Sequence, residues 1–369
     1  MSELLQVLRG ATSPYLPRAY DDEMRWFPLS VHYVSAIAVL VLLAVVYPFV
    51  ASSFFLNVLN FALIAVIGAV GLQLVTGMAG QLSLGHAAFL LTGAFTGAAL
   101  YLHFGLGFVV ALPAAGLAGA ALGLVAGLPA LRLRGLYLGI TTLAVQSIVL
   151  ALGLRYQLYL QDTRGTGADL TLPAADLGFA TLGSAMSWYP FLLIASGVAI
   201  AFAANLRRSV IGRDWLALRS GEVAADALGV PVARRKVQAF VVSSVMGSLA
   251  GVLSAYYFRT VTVEDFGLLV SVEYLAMVII GGLGSVLGAV LGALFLTVTP
   301  FVVGELIEVL GLEAVVGQRT RAVELGVFAL LTIGFLLFEP GGLAALWRRI
   351  RDYFSRWPYQ YVDTTRTQR

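Results

Sequence analysis

The chain has 369 residues, of which 59% are hydrophobic and 12% charged, with a formal net charge of +3 and a mean hydropathy of +0.90. An ordinary soluble domain carries about 25% charged residues. The 106 residues from Trp26 to Leu131 contain no Asp, Glu, Lys or Arg, and at about 20 residues per crossing this stretch alone accommodates four or five transmembrane helices. The composition excludes a soluble enzyme, a nucleic-acid-binding protein and a disordered scaffold, and it predicts an all-α polytopic membrane protein.

The apolar segments predict about ten transmembrane helices, within a range of eight to ten. The eighth segment is short, and it forms either one long helix or a broken helix with the ninth. The predicted spans are 31–50, 54–76, 82–102, 107–130, 136–155, 188–206, 237–258, 270–281, 286–303 and 322–338.

The distribution of Lys and Arg between the loops predicts that both termini are cytoplasmic. With this orientation the inner segments carry 18 basic residues and the outer segments five, which agrees with the excess of positive charge in cytoplasmic loops. The domains are then an N-terminal tail, a membrane domain with one long external and one long cytoplasmic loop, and a C-terminal tail. The N-terminal tail is 1–30, the membrane domain is 31–340 and the C-terminal tail is 341–369. Within the membrane domain, the external loop is 156–187 and the cytoplasmic loop is 207–236.

Cysteine is absent and the three histidines are scattered, so the sequence offers no thiolate nucleophile, no disulfide and no obvious metal site. We therefore expect no catalytic residue, no cofactor and no metal ion. Many of the 40 glycines recur every fourth residue within the spans, a spacing that lets a neighbouring helix pack closely. This pattern predicts packing grooves at Gly93 and Gly97, at Gly119, Gly123 and Gly127, and at Gly284, Gly288 and Gly292.

The first motif beyond helix packing is Thr76-Gly-Met-Ala-Gly-Gln-Leu-Ser-Leu-Gly-His-Ala-Ala-Phe89. Its glycines interrupt an apolar run, and irregular backbone at membrane depth is tolerated only inside protein or beside a water-filled cavity. One interpretation is a turn between helices with a buried histidine, and the other is an element of a translocation path. The residues concerned are Gly77, Gly80, Gln81, Ser83, Gly85 and His86.

Two further motifs place polar groups or glycines in or beside apolar spans. Thr141, Thr142 and Gln146 follow a basic anchor at Arg132 and Arg134, and such hydroxyls either bond to their own helix or line a pathway. Gly281, Gly282 and Gly284 follow a span that carries Glu273 near its outer end. They do not form a dinucleotide-binding loop, because no βαβ unit surrounds them.

The fourth motif lies in the inner segment, where residues 214–228 have the pattern of one short amphipathic helix. Trp215, Leu218, Ala225 and Leu228 fall near one face, Arg213, Glu222 and Asp226 supply charge, and Gly229 with Pro231 ends the helix. An exposed apolar face on a cytoplasmic helix needs a groove on a partner protein or the bilayer surface. Its mixed charge favours a partner protein, although a plain connecting helix remains an alternative.

Together the four motifs resemble the permeases of branched-chain amino acid ABC importers, most closely the LivM-type subunit. The family pattern Gly-x-x-Gly-Gln-x-Ser-Leu-Gly-His-Ala-Ala-Phe matches residues 77–89 nearly letter for letter. The other two membrane motifs fit in the expected order, and the resemblance covers roughly residues 55–340. The coupling segment of the family resembles this chain at Gly212, Arg213, Arg219, Glu222, Val223, Ala224, Ala225, Ala227, Leu228 and Gly229.

The resemblance implies a subunit that hydrolyses nothing itself, and the chain has no Gly-x-x-x-x-Gly-Lys phosphate-binding sequence. It implies a heterodimer with a second permease subunit, two cytoplasmic ATPase subunits, an extracytoplasmic binding protein and a location in the bacterial inner membrane. The implied substrate is a branched-chain amino acid, with urea, short amides or other amino acids as alternatives. The outer stretch Thr163-Arg-Gly-Thr-Gly-Ala168 departs from the family pattern Thr-Gly-Gly-x-x-Gly.

Two functions from other classes fit the sequence less well. A self-sufficient secondary transporter or channel would place ionisable residues inside the membrane, and the 106 uncharged residues offer none. An intramembrane hydrolase built on Ser83 and His86 lacks both the spacing of a nucleophile elbow and a nearby acidic residue. The sequence therefore favours a transport subunit over an enzyme.

Overall fold

The structure is a computed structural model that describes residues 52–164, 170–178, 180–309 and 341–356, with isolated positions between 326 and 334. The chain divides into two units, residues 51–344 and residues 1–50 with 345–369. Of the second unit only residues 345–356 are described, and they are helical. The contacts discussed below all lie within the first unit.

The described residues are mainly helical, as the composition predicts. A π-helical turn, Gln73–Met78, continues the first helix, and a 3₁₀ turn, Pro129–Leu131, follows the third. In chain order the helices are α1 Ser53–Leu72, α2 His86–Phe104, α3 Phe108–Gly127, α4 Leu136–Arg164, α5 Ala185–Arg208, α6 Val210–Ser220, α7 Glu222–Ala227, α8 Val232–Phe258, α9 Leu268–Gly281, α10 Val286–Val309 and α11 Gly342–Arg356.

Seven helices within the described ranges are long and apolar enough to cross a membrane. They coincide with the second to seventh predicted spans and with the ninth. Helix α9 coincides with the eighth, and it has only 14 residues. The predicted first span, 31–50, and all but isolated positions of the tenth, 322–338, lie outside the described residues, so the total of ten stays a prediction.

Helix α8 is the centre of this unit, with α1, α2 and α3 packed around it. Gly93 of α2 lies directly against the Ser248 carbonyl, and Gly251 of α8 lies directly against the Leu90 carbonyl. The Ser248 hydroxyl also donates a hydrogen bond to the Phe89 carbonyl at 2.8 Å. Because these glycines lack a side chain, the two backbones approach closely and dispersion contacts replace side-chain interdigitation.

The predicted glycine grooves are confirmed at every position but one. Gly97 faces Val252, the glycines of α3 face serines and Phe240 of α8, and those of α10 face α9. Gly284 is the exception, since it lies in the turn between α9 and α10 and not in a helix. That turn also resolves the two alternatives for the eighth and ninth spans: they form a helix broken at Gly282–Ser285.

The helix connections gather at two ends of the unit. We call the first the basic end; it contains residues 79–85, 128–135, 209–231 and 282–285. The opposite end contains residues 105–107, 170–184 and 259–267. Within residues 52–309, nine Lys and Arg side chains belong to the basic end or to the adjoining helix termini, whereas Arg155, Arg164 and Arg259 belong to the opposite half.

The opposite end contains two short antiparallel strand pairs. Strand β1 (Leu170–Thr171) pairs with β4 (Thr260–Val261), and β2 (Ala175–Asp176) pairs with β3 (Thr181–Leu182). The predicted external loop at 156–187 is shorter than expected, because α4 continues as a helix to Arg164.

One other prediction, at the basic end, needs correction. The single amphipathic helix over 214–228 is two helices, α6 and α7, because Gly221 adopts an extended conformation with φ 167° and ψ 121°. Gly229 has a φ of +82° and follows α7, as the predicted stop requires. Residues 342–356 form helix α11 within the predicted C-terminal tail.

Candidate functional site

The first functional feature is the irregular backbone after α1. The π-helical turn ends at Met78, Gly80 adopts a left-handed conformation with a φ of +69°, and the Gln81 amide donates to the Val75 carbonyl at 3.0 Å. π-helical turns inside α-helices are found frequently at functional sites. The interruption that the glycines of this motif predict is therefore present.

Gln73 joins this turn to the one between α9 and α10. Its side-chain amide is fully buried and donates to the Gly282 carbonyl at 3.1 Å and to the Ser285 carbonyl at 2.9 Å. Gly77 is wedged between Gln73 and the backbone nitrogen of Gly284. The sequence analysis missed Gln73, although a lone amide in the apolar run before the motif was a usable signal.

Arg219 of α6 meets both turns. Its guanidinium donates to the Gly77 carbonyl at 2.6 Å and lies against Gly284, which has a φ of +85°. A Cβ added to Gly80 would lie 3.0 Å from the Arg219 Cα. Residues from three separate sequence motifs therefore meet Gln73 at one place, which we call the Arg219 junction: Gln73, Gly77, Gly80, Arg219, Gly282 and Gly284.

Gly281 and Gly282 have packing roles beside this junction. Gly281 lies against the Gly288 carbonyl and so belongs to the contact between α9 and α10. Gly282 has a φ of +111° and lies against Gly341 and Gly342. The glycines after α9 therefore form a turn that is packed against α10, Arg219 and the start of α11, and not a loop open to a ligand.

A second cluster lies where α2 begins. The Thr142 hydroxyl accepts a hydrogen bond from the Leu84 amide at 2.9 Å, and Gly85 lies against the Thr142 carbonyl. The Ser271 hydroxyl accepts from the Ala87 amide at 2.8 Å and donates to the Gln146 side-chain oxygen at 2.7 Å. These contacts tie α4 and α9 to the start of α2, where the first backbone amides of a helix have no α-helical partner.

Several polar atoms of this cluster are buried without a hydrogen-bond partner among the described residues. These atoms are the nitrogen and oxygen of the Gln81 side-chain amide, the Ser83 hydroxyl oxygen and the Gln146 side-chain nitrogen. Buried polar atoms without a partner are rare in native proteins, and they indicate a functional role or contact with an ordered water molecule. We call this set, with Thr142 and Ser271, the buried polar cluster.

The other two predicted path residues are His86, whose ring nitrogens also have no hydrogen-bond partner among the described residues, and Thr141. His86 is fully buried, in ring contact with Tyr274 at 5.1 Å between centroids and packed beside Gly247. The Thr141 hydroxyl donates to the Tyr137 carbonyl of its own helix, so it does not join the cluster. A cleft of about 440 Å³ lies instead at the opposite end, lined by residues that include Phe54, Trp188 and Arg259.

The prediction that Trp215 and Leu218 form an exposed apolar face is wrong. Trp215 is fully buried and its indole nitrogen donates to the Arg235 carbonyl at 2.9 Å; Leu218 is also buried. Asp214 forms an ion pair with Arg235 at 2.7 Å. The apolar face of α6 is covered by the chain itself, because α8 and α5 lie against it.

Glu222 is likewise held internally. Its carboxylate forms ion pairs with Lys236 at 2.5 Å and with Arg134 at 2.7 Å, and the Lys236 ammonium also donates to the Ala130 carbonyl at 3.0 Å. Lys236 is almost completely buried. The pairs fix the start of α7 to α8 and to the connection before α4.

The outward surface of this segment is formed by other residues. Val223 is 76% exposed and Leu228 is 80% exposed, whereas Ala225 is buried. We call this surface the α7 surface, and its exposed residues are Val223, Ala224, Asp226, Ala227, Leu228 and Gly229. Arg213, on the first part of α6, is exposed as well.

Comparison with known proteins places these sites in a family. A family model for the permease component of branched-chain amino acid transport systems matches residues 54–336. The chain is 34% identical over 280 residues to the high-affinity branched-chain amino acid transport system permease protein LivM of Escherichia coli (strain K12). The match covers 70% of this chain and 66% of LivM, slightly less than two thirds of that relative.

More distant relatives are transport permeases too. The chain is 26% identical to LivH of Salmonella typhimurium (strain LT2), over 62% of this chain and 78% of LivH. It is 34% identical to the L-arabinose transport system permease protein AraH of Escherichia coli (strain K12), over 31% of this chain and 33% of AraH. No solved structure matches the chain significantly. Because the family model covers more than half of the sequence, this multi-pass membrane protein belongs to the branched-chain amino acid transport system permease family.

Proposed function

We propose that the chain is one permease subunit of an ATP-driven importer for branched-chain amino acids. A second permease subunit, similar to LivH, completes the pathway. Two ATPase subunits bind at the basic end, and an extracytoplasmic binding protein delivers the substrate at the opposite end. The chain itself carries out no hydrolysis and needs no cofactor.

The observation that carries this proposal is the division of α6 and α7 into an inner and an outer face. Trp215 and Glu222 attach the segment to the membrane helices, while Val223 and Leu228 are left exposed. An internally attached helix pair with apolar side chains facing outward is suited to receive a partner protein, since removing apolar surface from water favours association.

The orientation follows from the same end of the molecule. Nine basic residues lie at or beside the basic end, which supports a cytoplasmic location for it and therefore N-in and C-in termini. The bacterial inner membrane is then the location of the protein, and the ATPase subunits reach the α7 surface from the cytoplasm.

The buried polar cluster is the candidate for part of the translocation path. Gln81, Ser83 and Gln146 hold polar atoms without partners, and a passing zwitterion or water supplies such partners when the helices separate. We expect Thr141 and His86 to contribute less, because Thr141 bonds to its own helix and His86 packs among aromatic rings.

The experiment introduces a charge on the α7 surface. Leu228→Asp and Val223→Asp each place a carboxylate where an apolar contact is expected, and we expect co-purification of the ATPase subunits to weaken at least about tenfold, because burying an unpaired charge is costly. Val210→Asp, at an exposed position at the start of α6, is the matched control. Full retention of the ATPase subunits by both α7 variants contradicts this docking surface.

Substrate is tested separately. Deleting this subunit is expected to abolish high-affinity uptake of leucine, isoleucine and valine. If urea or amide uptake were lost while uptake of all three amino acids was unaffected, the proposed substrate would be wrong, but the assignment as an importer subunit would stand.

A further inference from the structure

Arg219 is the place where the cytoplasmic helix pair touches two turns of the membrane helices at once. We propose that Arg219 is a positioning residue that transmits movement of α6 and α7 to the connection between α1 and α2 and to the turn between α9 and α10. The inference rests on the proposed function, since it requires an ATPase to move the helix pair.

The Gly77 carbonyl is available to Arg219 because of the π-helical turn. In a regular α-helix this carbonyl would accept from the amide of residue 81, four positions on. Here the Gln81 amide donates to Val75 instead, and the Arg219 guanidinium donates to Gly77 at 2.6 Å. A charge-assisted hydrogen bond to a helix end is stronger than a neutral one, so α6 holds the end of α1 directly.

The second turn is attached through the same contact. Arg219 lies against Gly284, and Gln73, one turn before Gly77, donates to the carbonyls of Gly282 and Ser285. The two turns are therefore connected both through Arg219 and through Gln73. A displacement of Arg219 moves them together.

The α9–α10 turn leads back to the buried polar cluster. Helix α9 ends at this turn and carries Ser271, whose hydroxyl bonds to the Ala87 amide and to Gln146. A shift of α9 alters these two hydrogen bonds, and with them the surroundings of polar atoms that already lack partners. A helix that can pack in two discrete arrangements is the kind of element that couples distant sites, and we propose that α9 is such a helix.

The test uses the full complex in proteoliposomes, with purified ATPase subunits and binding protein. Arg219→Gln removes the charge and shortens the donor, Arg219→Lys keeps the charge with a single-point donor, and Arg234→Gln is the control, an exposed arginine on α8 at the same end. The measurements are ATPase subunits retained, ATP hydrolysed, and substrate transported per ATP.

We expect Arg219→Gln to retain the ATPase subunits and to hydrolyse ATP, while transport per ATP falls about tenfold, within the range of measured coupling energies. Arg219→Lys should recover part of this loss, and Arg234→Gln should match the native protein. Transport per ATP equal to the native value in Arg219→Gln overturns the inference.

Two other results overturn it in distinguishable ways. Loss of the ATPase subunits from Arg219→Gln, or a lowered melting temperature of the purified complex with transport per ATP unchanged, makes Arg219 a docking or a purely structural residue. Failure of the native chain to retain any ATPase subunit contradicts the proposed function itself, before Arg219 is considered.

Discussion

Glycine serves two different purposes in the α8 interface and in the Arg219 junction. In the interface, Gly93 and Gly251 are helical and lie directly against carbonyls of the facing helix. In the junction, Gly80 and Gly284 have positive φ values of +69° and +85° and lie against Arg219 of α6. The first pair brings helices together, and the second permits a turn.

This difference predicts opposite consequences for mutation. A side chain in the interface overlaps backbone that has no room to move, because packed interiors transmit strain. A side chain at Gly284 in the junction meets the far end of a flexible arginine, so apart from the strain of the positive φ the fold accommodates it while the contact is altered. The interface should therefore govern stability, and the junction should govern transport.

The largest expected effect is in the interface. Gly251→Val places a branched side chain against the Leu90 carbonyl, and we expect a loss of about 3 kcal/mol in the free energy of unfolding, at the upper end for overpacking. Gly197→Val on α5 is the control, since an added Cβ there meets no atom within 4 Å. Thermal unfolding of the purified protein gives the comparison, and equal melting temperatures for the two variants would contradict the close contact.

The sequence alone predicted the glycine faces of α2 and α3 in this interface, but not Gly251 of α8. A period of four in glycine is a local pattern, and a helix with this period has one smooth face whatever it packs against. Gly119 and Gly123 accordingly face serines of α8. The identity of the facing helix was not predictable, since the Ser244 and Ser248 partners lie more than a hundred residues away in the chain.

The junction was predictable only in part. The glycine motif and the helix with Arg219 were each recognised, but the hydrogen bond between Arg219 and Gly77 joins residues 142 positions apart. Trp215 is a second case in which the packing partner was not predictable, because an amphipathic pattern indicates an apolar face but not what covers it. The chain's own α8 covers it here, and the exposed residues are those of the α7 surface.

An intermediate effect is expected where the helix pair is attached by charge. Glu222→Gln leaves the buried Lys236 ammonium without its carboxylate, and removing one partner of a largely buried pair should lower the free energy of unfolding by about 2 kcal/mol. Glu264→Gln, an exposed carboxylate at the opposite end, is the control. We expect the Glu222 variant to unfold at a lower temperature and to lose α6 and α7 protection in amide hydrogen exchange; unchanged protection would show that the ion pair does not hold the segment.

The smallest effect on stability, and the sharpest test of the comparison, is expected at Gly284. Its φ of +85° costs an alanine about 1–2 kcal/mol, and the added methyl group also meets the Arg219 guanidinium. Gly178→Ala separates the two contributions, because Gly178 has a φ of +84° with no atom within 4 Å of an added Cβ. Both variants should lose about the same stability, but only Gly284→Ala should lose transport per ATP, because only there does the methyl group displace Arg219. Equal transport by the two variants would mean that the glycine at 284 serves the turn alone, and the distinction between packing glycines and coupling glycines would no longer hold.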